Sequence, residues 1–307
     1  MQKLIVTALF LLSLSAVSMA QNPTSIGKID YSFEFNDPND AARLLVLAEI
    51  GVDGAMGNRM FVGDINLGAI ARYSVNDHID VQTKIRKSLA NFMFDPAYRK
   101  NFEFEGVGTL FLSNKVKDRS EEVRISEKEV GNKFEIQYFN TPLPQRNSFG
   151  FNAGLSFKTV GINPTETYDP AKGDGYNGVR ENVNFSTVSL IGGIQFKRIN
   201  ASVIKLKKYK KPRVFDNYVV MSFDGIFAPI NTFTDGITGE RVGDEIKSEG
   251  FATSLPFGAR FTYNVYGSLP ASLTKKAIKY TTTASIGIRP YLGFSFDFGI
   301  GVMLVRK

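Results

Sequence analysis

The sequence predicts an all-β fold, a transmembrane antiparallel up-and-down β-barrel of about twelve strands. Three observations carry this prediction. Apolar and polar residues alternate along most of the chain, several alternating segments are long, and their apolar faces consist largely of Phe, Leu and Ile. Strands of soluble proteins average about 5–6 residues. Long segments with one bulky apolar face therefore favour a wall that separates lipid from a polar interior over a soluble β-sandwich.

The first twenty residues have the pattern of a secretory signal peptide. Lys3 precedes an apolar run that ends near Val17, and small residues up to Ala20 provide a cleavage site. The run is too short for a membrane-spanning helix, and no cysteine follows the cleavage point. We therefore expect an exported chain in which 1–20 are removed and 21–307 form one outer-membrane β-barrel domain.

The composition excludes several classes of protein. The chain contains no Cys, no Trp and one His, but 26 Phe and 28 Gly. Without cysteine there are no disulfides, thiolate metal sites or cysteine nucleophiles. Beyond the signal peptide, no window reaches the roughly 18 consecutive apolar residues that a membrane-spanning helix needs. We therefore exclude a helical membrane protein.

The last predicted strand shows the alternation most clearly. Phe294, Phe296 and Phe298 alternate with Ser295 and Asp297, so the aromatic rings project from one face and the polar groups from the other. Similar alternation elsewhere predicts strands at 28–36, 43–52, 59–75, 78–91, 101–116, 130–140, 147–161, 183–199, 214–229, 253–266, 279–289 and 292–306.

The lengths of the connections predict on which side of the membrane each one lies. The segments 162–182 and 230–252 are long, polar and rich in Gly, and we expect them outside the cell together with 117–129. Short links at 53–58 and 141–144 are expected on the periplasmic side, with both chain termini. Outer-membrane barrels have this asymmetry of long outer loops and short periplasmic turns.

The polar faces of the predicted strands carry both signs of charge. Charges in a narrow interior are costly unless they are paired or hydrated. A near-balanced set therefore predicts salt bridges across a narrow or closed lumen, whereas a strongly anion-selective pore would carry one dominant sign. The predicted lumen-lining residues are Asp64, Arg72, Asp80, Lys84, Arg86, Glu103, Glu105, Lys158, Asp224, Arg260, Arg289 and Asp297.

A basic run extends over 197–213, beginning with Lys197 and containing no acidic residue before Arg213. We expect it to form a periplasmic turn. Its cations either contact anionic lipid headgroups, dock a periplasmic or outer-membrane protein, or are simply solvated. An exported barrel turn argues against a nucleic-acid partner. The residues assigned to lipid or partner contact are Lys205, Lys207, Lys208, Lys210, Lys211 and Arg213.

With this pattern, the mature chain resembles Gram-negative outer-membrane β-barrel proteins of the small porin-like type. The resemblance covers nearly all of the mature chain and depends on strand pattern and loop asymmetry. It implies an outer-membrane protein, surrounded by outer-membrane lipids, that passes small solutes through a narrow, mixed-charge lumen. The alternative is a non-conducting barrel that acts as a scaffold or an accessory subunit of an envelope assembly or secretion complex.

The sequence offers little support for catalysis, and we expect neither an enzyme nor a cofactor nor a bound metal. Outer-membrane phospholipases pair a catalytic His with a Ser on the same strand face, but Asp80 takes that place beside His78, the single histidine. Ser74 lies across a predicted turn, an arrangement that is common by chance. The glycines of 173–178 lack the flanking strand and helix of a dinucleotide site, and the acids of 235–249 lack the spacing of a calcium loop.

Overall fold

The computed structural model describes residues 31–35, 44–56, 61–91, 101–130, 133–162, 183–206, 213–235, 255–268 and 279–306. These residues form antiparallel strands, which are β1 (Tyr31–Phe35), β2 (Leu44–Met56), β3 (Phe61–Asn76), β4 (Ile79–Asn91), β5 (Asn101–Val130), β6 (Lys133–Ile162), β7 (Val183–Leu206), β8 (Arg213–Asp235), β9 (Phe257–Ser268), β10 (Lys279–Arg289) and β11 (Gly293–Arg306). A search of this part of the chain for long apolar helices that would cross a bilayer finds none.

Ten strands, β2 to β11, close into an antiparallel barrel. Each strand pairs with its neighbour in the chain, β11 pairs with β2, and every pairing is antiparallel where the register is defined. The strand β1 is not part of this wall. Among the described strands it pairs with the end of β7 alone, with Tyr31 opposite Leu206 and Phe35 opposite Ser202.

The prediction of about twelve barrel strands is wrong by two. The segment 28–36 contributes β1, which lies outside the wall, and the predicted strands 130–140 and 147–161 form one continuous strand, β6. The prolines of 141–144 indicated a turn. They are tolerated in a strand because the described pairing of β6 with β7 starts after them, at Gln145 opposite Asn200. A proline there interrupts no hydrogen bond to β7.

The merged strand also changes the predicted sidedness. We call the end of the barrel where β2 begins and β11 ends the terminal end, and the opposite end the far end. The segment 117–129, predicted as an outer loop, lies within β5. The link 53–58 was predicted opposite 162–182, but β2 ends at the far end, where β6 also ends. The prediction counts β1 as the first barrel strand and divides β6 into two strands. Without these two extra strands, β2 to β5 each cross the membrane in the direction opposite to the predicted one.

The chain divides into two compact units. The larger comprises Tyr31–Arg119 and Leu143–Lys307 and contains the barrel. The described part of the smaller unit consists of 120–130 and 133–142, which are the adjoining parts of β5 and β6. Because of these parts, β5 and β6 each have 30 residues, whereas β10 has 11.

The side chains of the barrel follow the alternation of the sequence. Outward positions are apolar and exposed, as in the neighbouring pairs Phe223–Phe261 and Phe227–Phe257, whose ring centroids are 4.7 and 4.9 Å apart. Phe223 is 52% exposed. Inward positions are largely polar and buried. An apolar surface of this extent is unfavourable in water and favourable in lipid. The shortest barrel strand, with 11 residues, is long enough for a tilted transmembrane strand of about 9–11 residues.

Candidate functional site

The barrel interior holds equal numbers of acidic and basic side chains in the described part of the chain. Eight acidic and eight basic residues point inward, and each of the basic residues forms an ion pair. The acidic residues are Glu49, Asp53, Asp64, Asp80, Glu103, Glu105, Asp224 and Asp297; the basic ones are Arg72, Lys84, Arg86, Arg146, Lys158, Lys197, Arg260 and Arg289. The interior therefore has no dominant sign of charge.

All twelve residues predicted to line the lumen lie in the barrel interior. Ten are buried, while Arg260 and Arg289 are partly exposed. Asp64 accepts a hydrogen bond from the Ser88 hydroxyl, at 3.2 Å. The other eleven take part in three groups of ion pairs, described in turn below.

The largest group links eight side chains into one continuous network. The guanidinium of Arg86 contacts both Glu49 and Asp297. Lys84 Nζ then lies 3.2 Å from Asp297 and 3.8 Å from Glu103. The network continues through Lys158 Nζ, which lies 3.9 Å from Glu103 and 2.8 Å from Asp53, and ends with Arg289, 2.9 Å from Asp53. Four positive and four negative groups thus neutralise one another inside the barrel.

A second group connects opposite walls. Arg260 on β9 donates two hydrogen bonds to Glu105 on β5, at 2.7 and 3.0 Å, and one to Asp224 on β8, at 3.2 Å. Asp224 also accepts from Asn152 on β6, at 3.0 Å. Since β5 and β9 are four strands apart in the ten-strand barrel, the bidentate Arg260–Glu105 pair crosses the interior.

The third group lies toward the terminal end. Asp80 on β4 contacts Arg72 and accepts a hydrogen bond from Lys197 Nζ, at 2.9 Å. The Arg72 guanidinium also lies 4.6 Å from the ring centroid of Tyr218, and Lys197 Nζ lies 4.9 Å from that of Phe111. These distances are in the range of cation–π contacts. The aromatic faces help to compensate the loss of hydration of both cations.

Next to this group, a layer of apolar side chains lies in the lumen. Leu47 and Val220 are almost completely buried in it, and the rings of Tyr218 and Tyr266 are 4.8 Å apart. The remaining members are Leu45, Ile70 and Ile199, with Met303 packed against them. This apolar layer narrows the terminal end of the lumen.

A small cavity lies among the polar side chains of the interior. The described interior has a cavity of about 40 Å³, enough for about three water molecules at some 10–15 Å³ each. Charged residues line it together with the hydroxyls and amides of Thr262, Asn264, Gln195, Thr283 and Ser285. Several polar atoms here, including Thr262 Oγ1 and Asn264 Oδ1, have no protein partner, so water is a suitable ligand.

Sequence reasoning missed four inward charges: Glu49, Asp53, Lys197 and Arg146. Glu49 lies on the same face of β2 as the apolar residues Leu45 and Leu47. Neither face of β2 therefore has a polar pattern that would indicate the lumen side. Asp53 was assigned to a link, and Lys197 to the basic turn. Lys197 is instead buried in the lumen, since β7 continues to Leu206.

The residues considered for catalysis lie apart from one another. His78 is exposed in the turn between β3 and β4, and its Nδ1 is 2.9 Å from the Phe111 carbonyl oxygen. Ser74 is buried inside the barrel, where its hydroxyl hydrogen-bonds to Asp80. Within the described ranges, no group of three or more His, Asp or Glu side chains is placed to hold a metal ion. The segments 173–178 and 235–249 lie outside the described residues, except for Asp235 at the end of β8.

The residues assigned to lipid or partner contact are partly described. Lys205 lies near the end of β7, where it pairs with Ser32 of β1, and Arg213 is the first residue of β8, opposite Ile204. The remaining four residues, Lys207, Lys208, Lys210 and Lys211, lie outside the described residues.

Together, these features define the class of protein: a closed ten-strand antiparallel β-barrel with an apolar outer face and an ion-paired interior. No family model matches the chain, and no curated protein sequence matches it. Among solved structures, OmpT, an outer membrane protein of Vibrio cholerae folded in vitro, is 9% identical over 91% of this chain and 99% of that chain, with a TM-score of 0.17. Its trimer form is 9% identical over 86% and 99%, with a TM-score of 0.15. Similarity at this level carries no argument.

Proposed function

We propose that this chain is an outer-membrane β-barrel whose lumen is closed to solutes, and that it acts as a scaffold or accessory subunit of an envelope assembly. Three features support insertion into a membrane: the apolar outer face, the length of the strands and the closure of the barrel, which leaves no unpaired edge in lipid. The signal peptide at 1–20 supports export to the outer membrane. Lipid is then its first partner, and no catalytic role is proposed.

One observation carries the closed state: ion pairs cross the interior from wall to wall, with a cavity of about 40 Å³ beside them. Lys158 on β6 binds Asp53 on β2, and Arg260 on β9 binds Glu105 on β5. A hydrated solute would have to separate these pairs and leave charges buried without partners, which is strongly unfavourable. The lumen therefore resembles a polar core more than a channel.

Passage of small solutes is the second candidate function. The specific observation in its favour is that the cavity lining is largely polar, with unpartnered acceptors at Thr262 and Asn264. Passage would require the ion-pair network and the apolar layer to rearrange together. The lumen would then be a narrow, mixed-charge path.

Single-channel recording in a planar bilayer separates the two candidates. The purified, folded chain is expected to give no stable conductance steps, while heat-modifiable migration on gels verifies that the barrel is folded. A triple variant, Arg260→Ser with Glu105→Ser and Asp224→Ser, removes the crossing pair together with the second carboxylate that Arg260 binds, so no lone charge of this group remains, and we expect it to show small conductance steps. Stable steps from the parent chain would overturn the closed-lumen proposal in favour of solute passage.

A further inference from the structure

Exposed cations lie near the terminal end of the barrel. Lys115 and Lys117 on β5 and Arg198 on β7 are exposed, and none of them forms an ion pair with any residue that the structure describes. The backbone places Lys205 and Arg213 further along the same end, on β7 and β8. We call Lys115, Lys117 and Arg198 the cationic rim.

The cationic rim follows directly after the apolar outer face. On β7, Arg198 comes two residues after outward-facing Phe196, and on β5 the lysines follow Leu112, which is 60% exposed. Tyr73 and Tyr280 also occupy outward positions near this end of β3 and β10. Tyrosine is enriched where hydrocarbon meets headgroups. The rim therefore lies at the depth of the lipid headgroups.

The guanidinium of Arg198 is held in place by one neighbour. Its Nε donates a hydrogen bond to Asn147 Oδ1 on the adjacent strand, at 3.3 Å. This bond leaves the two terminal NH₂ groups available on an exposed side chain. Paired N–H donors of this kind bind two oxygens of a phosphate at once.

We propose that the cationic rim binds the phosphodiester groups of anionic phospholipids in the leaflet at the terminal end. The proposal rests on the proposed function, since it requires a barrel in a bilayer. Three features favour lipid over an acidic protein: the depth of the rim, its continuity with the apolar outer face, and the outward direction that Arg198 shares with Phe196. Acyl chains on the apolar face place their own headgroups at this level, so a single lipid contacts both surfaces.

The test is lipid retention by the purified, folded full chain in detergent, measured by native mass spectrometry. Phosphatidylglycerol and phosphatidylcholine are titrated separately. The rim variant is K115Q/K117Q/R198Q, and the matched control is K87Q, because Lys87 is also exposed, outward-facing and without an acidic partner among the described residues, but lies toward the far end. We expect the parent and K87Q to prefer phosphatidylglycerol, and the rim variant to bind it about a hundredfold more weakly, given roughly fivefold per cation at a membrane surface.

Each other outcome has a defined meaning. An unchanged preference in the rim variant would overturn the proposal. Displacement of phosphatidylglycerol by inorganic phosphate at equal phosphorus concentration would also overturn it, because the rim would then recognise phosphate without lipid. Retention of a polyglutamate peptide in place of phosphatidylglycerol would assign the rim to an acidic protein. Insertion of the parent into phosphatidylcholine vesicles, followed by heat-modifiable migration, is measured in parallel; its failure would count against the proposed function itself.

Discussion

The lumen and the cationic rim contain the same basic residue types in opposite arrangements. Each lumen cation forms an ion pair with a carboxylate, as Arg260 does with Glu105 at 2.7 Å. In the rim, Lys115, Lys117 and Arg198 have no acidic partner among the described residues. The difference indicates two uses of charge: the lumen charges hold the walls together, while the rim charges are left for anions outside the chain.

The reason is the environment of each region. A cation inside the barrel has lost most of its water, so the cost of an uncompensated charge is several kcal/mol. A cation at the rim keeps its hydration and costs little without a partner. Removing a lumen charge should therefore destabilise the barrel, whereas removing a rim charge should change binding and leave stability almost unaltered.

The largest effect is expected at the centre of the eight-residue network. Arg86→Met removes the cation that contacts both Glu49 and Asp297, and leaves two buried carboxylates with reduced compensation. We expect the free energy of unfolding to fall by about 3–5 kcal/mol, measured by urea titration of the barrel in lipid vesicles. A loss below about 1 kcal/mol would show that water, and not Arg86, satisfies these carboxylates.

A compensated variant distinguishes lost charge balance from lost packing. Combining Arg86→Met with Glu49→Gln removes the carboxylate that only Arg86 neutralises and leaves Asp297 paired with Lys84, so the network keeps three cations and three anions. Replacing a buried ion pair by neutral groups is often close to neutral for stability. We expect the double variant to recover more than half of the loss, and an unrecovered loss would assign the effect to packing of the Arg86 side chain.

The next effect tests whether the outer face is in lipid. Phe223→Arg places a cation among Ile194 and Phe261 on the neighbouring strands. A cation at the bilayer midplane costs about 2–4 kcal/mol, falling to about 0–1 kcal/mol near the interface. The control is Tyr73→Arg, since Tyr73 is exposed at an outward position near the terminal end of β3. Equal destabilisation of the two variants in vesicles would contradict the assignment of depth.

A smaller effect compares the two faces at adjacent glycines of β7. A Cβ on inward-facing Gly193 would lie 2.1 Å from the Phe223 carbonyl oxygen and 2.7 Å from Asp224 Oδ1, whereas a Cβ on outward-facing Gly192 meets nothing within 4 Å. We expect Gly193→Ala to destabilise the barrel by about 1–3 kcal/mol through overpacking. Gly192→Ala should be neutral or stabilise it by up to about 1 kcal/mol, because alanine restricts the unfolded chain. Both are measured by the same urea titration.

Much of the lumen was predictable because the strand pleat fixes which residues share a face. The inward direction of Arg72, Lys84 and Asp297 follows from the alternation of side chains along each strand, without knowledge of the neighbouring strand. The partners were not predictable. The pair Lys158–Asp53 joins residues 105 positions apart on β6 and β2, and which inward groups meet depends on strand number, tilt and stagger.

The errors have a local cause. The sequence prediction gives turn residues more weight than continuity of the strand. It therefore divides β6 at Pro142 and Pro144, and it places Asp53 in a link. Lys197 lies within the predicted strand 183–199, but as the first cation of the basic run it is assigned to the turn and not to the lumen. A strand edge without partners accepts proline. A strand that continues past the membrane accepts charged residues. Neither proline nor a run of charges therefore marks the end of a strand in a barrel.

The smallest effect is the response of the two regions to salt. Raising the ionic strength from 0.1 M to 1 M shortens the Debye length from about 10 Å to about 3 Å. Exposed rim charges are then screened, so we expect phosphatidylglycerol to bind the parent about tenfold more weakly at 1 M salt.

The lumen pairs lie within 4 Å of one another and away from bulk solvent. The stability difference between the parent and Arg86→Met should therefore change by less than about 0.5 kcal/mol. A difference that collapses in salt would show that ions enter the lumen, and would reopen solute passage as the function of the barrel.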